Sequence, residues 1–393
     1  EKGTPIDITT IANELETRKE LKQIGGMDYL LKIADIVPLA TNIDEYIKIV
    51  EEKAILRRLI DANIKIETSC YESTDSVSDI LDKAESTILN VVKTRKGSEF
   101  RTIQDVLFKT QANLEELSKN RGEITGLRTG FNELDRITSG LHANELIIIA
   151  ARPGMGKTAF ALNLAVNAAT LNGATVALFN MEMGAEQLAT RMLSSVGQID
   201  NNRLRSGNLE HQDWKRVNEA ISRLADTNIF MDDTPGMTIG EIRAKCRRLA
   251  SSEKGLGIII IDYLQLITGS TKGTNRQQEI AEISRSLKTM AMELNVPVIA
   301  LAQLSRSVEQ RDDKRPILSD LRESGSIEQD ADIVGFLYRE DYYTKQMSID
   351  EQTSKSTFII AKHRNGITKD INLIFKLNTS TFLDYQNEEN VGD

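Results

Sequence analysis

Apolar positions in the first quarter of the chain recur at helical spacing. Residues 8–15 form one such stretch and residues 42–66 a longer one, with Ile43, Ile47, Val50, Ala54 and Leu59 on a single stripe. No strand pattern competes with them as far as residue 92. The sequence then turns polar, with Lys93-Thr94-Arg95-Lys96-Gly97-Ser98 as a breaker. A short amphipathic helix follows, from Ile103 through Phe108 to Leu117, and its apolar face calls for a partner, most simply a neighbouring subunit. From Gly126 onward strand and helix patterns alternate, the signature of an α/β domain with a mainly parallel sheet. The chain therefore reads as an all-α domain over 1–92, a linker with a docking helix over 93–125, and an α/β domain over 126–393. It starts at Glu1 rather than a methionine, and the helical domain reads as truncated at its N-terminal side.

Within the α/β domain one segment stands out. Residues 146–150 are apolar and β-branched, as a buried parallel strand requires, and residues 159–165 are rich in Ala and Leu, as a helix prefers. Between them lies Ala151-Arg152-Pro153-Gly154-Met155-Gly156-Lys157-Thr158, leading into Ala159. A strand, a glycine-rich turn ending in Gly-Lys-Thr, and a helix make a phosphate cradle. Its backbone N–H groups and helix N-terminus face the anion, Lys157 reaches the outer phosphates, and the Thr158 hydroxyl ligates magnesium. The pattern departs from the usual one only in its first glycine, here Ala151.

Several strands end on polar side chains, where ligands of open α/β sheets lie. After a helix stop at Asn172-Gly173, the strand 175–181 delivers Glu182. That carboxylate either orients and deprotonates an attacking water or simply opens the next helix, where negative charge suits the dipole. The run 257–262 places four isoleucines before Asp262, following a helix that starts at the capping box Thr238-Ile239-Gly240-Glu241. Asp262 either holds a magnesium ion through its water shell or is an incidental turn residue. The strand 296–302 ends at Gln303, an amide able to sense a γ-phosphate. A polar stretch with Arg306, Glu309, Arg311 and Arg315 follows, then a loop with Arg322, Glu323 and Gly325. That loop either grips a phosphodiester backbone or is merely solvated. Near the end, residues 356–361 and 371–377 form a hairpin, with Lys362-His363-Arg364-Asn365-Gly366 between them and Asn-Gly at the turn. Its cations either serve a neighbour's nucleotide site, with Arg364 as an arginine finger, or guard an exposed strand edge.

Composition limits the partners. A chain of 393 residues suits two or three domains, and 40% hydrophobic content is ordinary for a soluble protein. The longest apolar runs fall short of a membrane span, and no leader pattern is present. Cys70 and Cys246 sit far apart and outside metal-ligand spacing, as reduced thiols of a cytoplasmic protein do. A net charge of −9 excludes a uniformly basic surface, yet leaves room for a locally positive channel. No fixed-period repeat or low-complexity tail is found.

Taken together, these segments resemble the DnaB-type bacterial replicative helicases. The resemblance is carried by the cradle, Phe179-Asn180-Met181-Glu182-Met183 with Gln187-Leu188 and Arg191, and Ile260-Ile261-Asp262-Tyr263-Leu264-Gln265-Leu266. Leu301-Ala302-Gln303-Leu304-Ser305-Arg306, the run 320–332 and Lys362-His363-Arg364-Asn365-Gly366 add to it. Upstream, Gly25-Gly26-Met27-Asp28-Tyr29-Leu30 and Glu52-Lys53-Ala54-Ile55-Leu56-Arg57-Arg58-Leu59 extend it over essentially the whole chain. The run 320–332 is the most specific part, since ordinary RecA-like ATPases lack it. At the hairpin Ile367-Thr368-Lys369 replaces the more usual Pro-Thr-Gly.

The resemblance implies a RecA-like ATPase domain behind a helical collar. It implies a cytoplasmic homohexamer that uses ATP and Mg²⁺ to move 5′ to 3′ on single-stranded DNA at the replication fork, working in a primosome. It also implies primase bound through the N-terminal domain, a helicase loader, and no membrane. In that frame residues 151–159 bind the nucleotide, Thr158 and Asp262 serve the metal, Glu182 activates water, and Gln303 links the γ-phosphate to the DNA loop. Arg322, Glu323 and Gly325 line the channel, Lys362 and Arg364 act in trans, and Arg191 lies near the adenine. Three other classes share parts of the pattern: a RecA- or RadA-like recombinase, a clock- or signalling-type RecA-fold ATPase, and a helical scaffold with a regulatory ATPase half. A recombinase lacks the helical collar, and a signalling ATPase lacks DNA-stimulated hydrolysis.

Overall fold

The structure, a computed structural model, describes residues 8–36, 43–72, 80, 83–84, 87–88, 91, 102–119, 124–269, 276–321, 325–344 and 352–385. The chain divides into two compact units, Glu1–Phe108 and Lys109–Asp393. The helix Ile103–Lys119 crosses that division, inside the stretch assigned to the linker. In the first unit the described segments are helices, Ile8–Thr17, Gly26–Ile36 and Ile43–Tyr71. Ala12, Leu30 and Ala62 are buried there, whereas Ile47, Val50 and Leu59 of the expected stripe stay exposed. The long helix thus forms as its spacing predicts, but its own unit does not cover that stripe.

The second unit is built on a nine-stranded sheet. The strands are β1 (Leu146–Ala151), β2 (Val176–Asn180), β3 (Ile229–Asp232), β4 (Ile258–Asp262), β5 (Val298–Gln303), β6 (Ile333–Tyr338), β7 (Thr353–His363), β8 (Lys369–Lys376) and β9 (Thr381–Asp384). Their order across the sheet is β3-β2-β4-β5-β1-β6-β7-β8-β9. From β3 to β6 the pairs are parallel, and from β6 to β9 antiparallel.

The central strands are buried on both faces, which explains their unbroken apolar sequence. Ile147 and Ile149 pack on one side with Phe160, Leu164, Val176, Leu178 and Ile258. Leu146 and Ile148 pack on the other with Ala177, Phe179, Ile259, Leu287 and Met290. The helix Lys157–Asn172 ends where Gly173 adopts a left-handed φ of 62°, as a glycine C-cap should. The helix Ile239–Ala250 starts at a complete capping box between Thr238 and Glu241.

The hairpin has Asn365-Gly366 in its turn as expected, between His363 and Lys369. Its strands run further than the pattern implied, because β7 continues beside β6, with Lys362 opposite Val334 and His363 opposite Ile333. Gly366 then folds against the His363 ring, where any Cβ would collide at 2.3 Å.

Candidate active site

The loop between β1 and the helix Lys157–Asn172 supplies the floor of a cavity of about 380 Å³. Its walls include Ala151, Arg152, Pro153, Gly154, Gly156, Lys157, Thr158 and Ala159, with Glu182, Arg191 and Gln303. All these expected nucleotide-site residues except Met155 and Asp262 therefore line one space. Met155 is 1% exposed and packs into the core, leaving only its main chain to the loop. Gly154 and Gly156 have φ of 82° and 94°, conformations that glycine adopts without cost. A Cβ on Gly156 would meet Phe382 at 2.9 Å, so this turn is closely packed as well as left-handed.

Parallel neighbours bring the strand ends together. Ala151 pairs with Gln303, and Asn180 pairs with Asp262. Asp262 is 1% exposed and faces the start of the cradle helix. Its Oδ2 accepts from the Thr158 hydroxyl at 2.6 Å and from Asn180 Nδ2 at 3.2 Å. Its Oδ1 lies 3.4 Å from Lys157 Nζ and accepts no hydrogen bond. Burial holds the Lys157 ammonium below its ordinary range, while Asp262 and then Glu182 pull it back up. Lys157 also sits 4.4 Å from the centre of the Tyr263 ring, a cation–π contact. Burial, with Glu182 and Asp262 nearby, pushes the Tyr263 hydroxyl up.

Glu182 is exposed on the cavity rim rather than tied into the next helix, which starts at Ala185. Asn180 fixes its position by accepting the N–H groups of Glu182 (3.0 Å) and Met183 (2.7 Å). A chain of contacts thus runs from Lys157 and Thr158 through Asp262 and Asn180 to the backbone that carries Glu182. Gln303 is held by a reciprocal pair with Gln265, its N–H donating to Oε1 and its carbonyl accepting from Nε2, both at 3.2 Å.

Arg152 departs from the simple cradle reading. Its Nε donates to Glu309 Oε1 and its NH1 to the Leu304 carbonyl, each at 2.8 Å, and it is 8% exposed. Its guanidinium therefore ties the loop to the segment after β5 instead of facing phosphates. Sequence reasoning missed Arg339, the residue after β6, which also lines the cavity. Arg339 NH1 donates to the Gly154 carbonyl at 3.1 Å and its Nε to Ser354 Oγ at 2.7 Å. A signal existed, since a charged residue follows an apolar strand there as Asp262 ends one at β4. Phe375 of β8, Leu377 and Ser380 of the turn after it, and Asn201 also line the cavity, all too distant in sequence to be paired with the cradle by pattern alone.

The remaining expected residues lie elsewhere. Arg322 and Glu323 fall outside the described residues. Gly325 opens the helix Gly325–Asp330, exposed and with nothing near its Cβ position. Lys362 and Arg364 sit at the end of β7 that faces Ile333, the N-terminal edge of β6. Their own cradle leaves the opposite edge of β1, roughly 20 Å of strand away. Neither cation therefore reaches the cavity of its own chain.

Among the described residues no helix is long and apolar enough to cross a membrane. Cys70 and Cys246 are both free, and burial pushes the Cys246 thiol up to about 12, far from the reactive range.

Residues 126–384 match the family model for the DnaB-like helicase C terminal domain, and residues 1–52 that for the DnaB-like helicase N terminal domain. The replicative DNA helicase DnaC of Bacillus subtilis is 53% identical over 98% of this chain and 84% of its own. The replicative DNA helicase DnaB of Geobacillus stearothermophilus is 52% identical over 95% and 82%. A solved DnaB-like replicative helicase, described together with its interactions with primase, superposes with a TM-score of 0.73 at 36% identity, over 98% of this chain and 89% of that one. A solved structure of an isolated ATPase domain gives 0.69 at 41% identity, over 73% of this chain and all of that one. The helical and α/β halves match together, which a recombinase or signalling ATPase reading does not account for: the chain belongs to the DnaB-like replicative DNA helicases and is an ATP-dependent DNA helicase.

Proposed function

We propose that this chain is the subunit of a homohexameric ring that hydrolyses ATP with Mg²⁺ to move 5′ to 3′ on single-stranded DNA at a replication fork. The observation that carries the chemistry is the buried Asp262 carboxylate, within 3.4 Å of Lys157 and hydrogen-bonded to Thr158, beneath a rim that bears Glu182. The Oδ1 of Asp262, which accepts no hydrogen bond, and the adjacent Thr158 hydroxyl fit a divalent ion with its water shell. Bound there, held by Thr158 and Asp262, the ion would supply positive charge to offset the charge of the nucleotide's phosphates.

The chain's own residues do the rest. Lys157, held under-solvated, binds the outer phosphates with its full charge, and the 154–158 backbone and helix N-terminus cradle them. Glu182, exposed on the cavity rim, orients a water and accepts its proton. Gln303, on the strand beside the cradle, senses the γ-phosphate at the start of the polar segment that leads to Arg322, Glu323 and Gly325. Those three grip the strand backbone without reading bases. Arg191 lies at the base end of the cavity. Lys362 and Arg364 complete a neighbouring subunit's site. The helical N-terminal region serves as collar and primase-binding surface, a separate loader opens the ring, and the protein works in the cytoplasm.

Replacing Glu182 by Gln tests the reading. Turnover of ATP and strand unwinding should each fall about 10²-fold or more, the usual weight of a positioned base, while nucleotide affinity holds. Parental turnover in Glu182→Gln would remove the assignment.

A further inference from the structure

At the sheet edge opposite the nucleotide cavity, Asp332 joins four elements. It precedes β6 and is 6% exposed. Its Oδ2 accepts the Leu146 N–H at 2.8 Å and Lys288 Nζ at 2.6 Å. Lys288, from the helix Arg276–Leu294, donates also to the Asn144 carbonyl at 2.8 Å. The Asp332 main-chain oxygen accepts the Arg364 N–H at 2.9 Å, and its Oδ1 lies 3.6 Å from Arg364 NH1.

Both hairpin cations are engaged within their own chain. Arg364 NH2 donates to the Gln329 carbonyl. Lys362 Nζ donates to the carbonyls of Glu328, Gln329 (3.4 Å) and Ala331 (2.8 Å). These carbonyls close the C-terminal end of the helix Gly325–Asp330, where unpaired oxygens carry partial negative charge and attract cations. The same helix begins at Gly325, two residues after Glu323 in sequence. Release of Arg364 from this grip costs whatever the grip is worth. Anything that displaces the helix changes that cost, and by linkage the reverse holds too.

We propose that Asp332 and the C-terminal carbonyls of the helix Gly325–Asp330 form a parking site for Arg364, and that binding of single-stranded DNA promotes hydrolysis in the adjacent subunit by loosening that site. The inference rests on the reading of Arg364 as a finger in trans. Asp332 is in this scheme a positioning residue, and it divides its charge between Lys288 and Arg364. Two substitutions therefore push in opposite directions. Asp332→Asn takes the charge from Arg364 and frees it. Lys288→Met removes the competing cation and leaves the whole carboxylate charge to Arg364.

The test is ATP turnover with and without saturating oligo(dT) for the parent, Asp332→Asn, Lys288→Met and Arg364→Ala, all as full chains. In Asp332→Asn the DNA-free rate should rise about three- to fivefold, the range of a half-exposed ion pair, with the DNA-stimulation ratio falling to match. In Lys288→Met the DNA-free rate should fall and the ratio rise. A substitution that only damages the fold lowers both rates together and leaves the ratio alone. Ratios equal to the parent's in both variants, or moving in the same direction, overturn the parking site. If Asp332→Asn does not fold, an unchanged ratio in Lys288→Met alone overturns it. Arg364→Ala separates the two ideas: loss of turnover keeps the finger reading whatever the other variants do, whereas parental turnover removes the finger and the parking site with it.

Discussion

Asp262→Asn exposes what the cradle costs the protein when no nucleotide is bound. Asp262 is 1% exposed and Lys157 has 13% of its side chain accessible, so their charges face one another with little water between. At 3.4 Å and an effective dielectric of about 20, the Coulomb attraction is about 5 kcal/mol. The asparagine keeps an oxygen for Thr158, and the lysine can shed its proton, so the net loss should be nearer 3 kcal/mol, the lower end for breaking a buried pair. In a unit of this size that lowers the melting temperature by roughly 6 °C. The assay is thermal unfolding with and without ADP, magnesium omitted. Without nucleotide the variant should melt well below the parent; with ADP the phosphates supply the missing counter-charge, and the two should converge. The pH dependence has a definite sign. Burial already holds Lys157 below its ordinary 10.5, and loss of the carboxylate lowers it further. Between the folded value and 10.5 the unfolded chain holds a proton that the folded chain has released, so stability gains as pH rises through that window. The deficit of the variant should therefore narrow on the alkaline side. Equal melting of variant and parent without nucleotide, or an equal ADP shift in both, would refute the reasoning.

Two further outcomes follow from the same geometry. Mixed rings of Lys157→Ala and Arg364→Ala subunits should hydrolyse ATP faster than either variant alone, since a finger in trans is worth about 10³ or more in rate; no recovery in verified mixed rings counts against shared sites. Arg322→Ala should weaken single-strand binding alike for all base orders and reduce its salt slope by about one charge, with nucleotide affinity unchanged; tight parental binding across a salt titration removes this loop from the DNA contact.

The sequence carried the cradle because its information is local. Gly154 and Gly156 have positive φ, Lys157 opens the helix, and an apolar strand precedes them, all within a dozen residues. Asp262 was legible for a similar reason: a strand buried on both faces must be apolar throughout, so its one terminal carboxylate stands out. What stayed hidden depends on register between distant strands. Arg339 braces the Gly154 carbonyl only because β6 lies beside β1, and the Arg152 guanidinium is tied to the segment after β5 by Glu309 and the Leu304 carbonyl. The hairpin's turn was legible in Asn365-Gly366, whereas the extension of β7 along β6 as far as His363 depends on pairing with a distant strand.

That extension has a consequence for assembly. β7 begins at Thr353, with Ser354 accepting the Arg339 that braces the chain's own phosphate loop. It ends at the far edge of the sheet, where Lys362 and Arg364 are carried. A strand of 11 residues spans roughly 35 Å; its pairing with β8 continues from Thr353 to Ile360, and its register against β6 shifts just beyond, between Ile360 and Lys362. A nucleotide site that uses both the cradle and these cations cannot be closed by bending one chain. On the proposed reading it is built between two copies, with the far edge of one sheet set against the strand ends of the next, each copy giving its cations to one neighbour while its own cradle receives those of another.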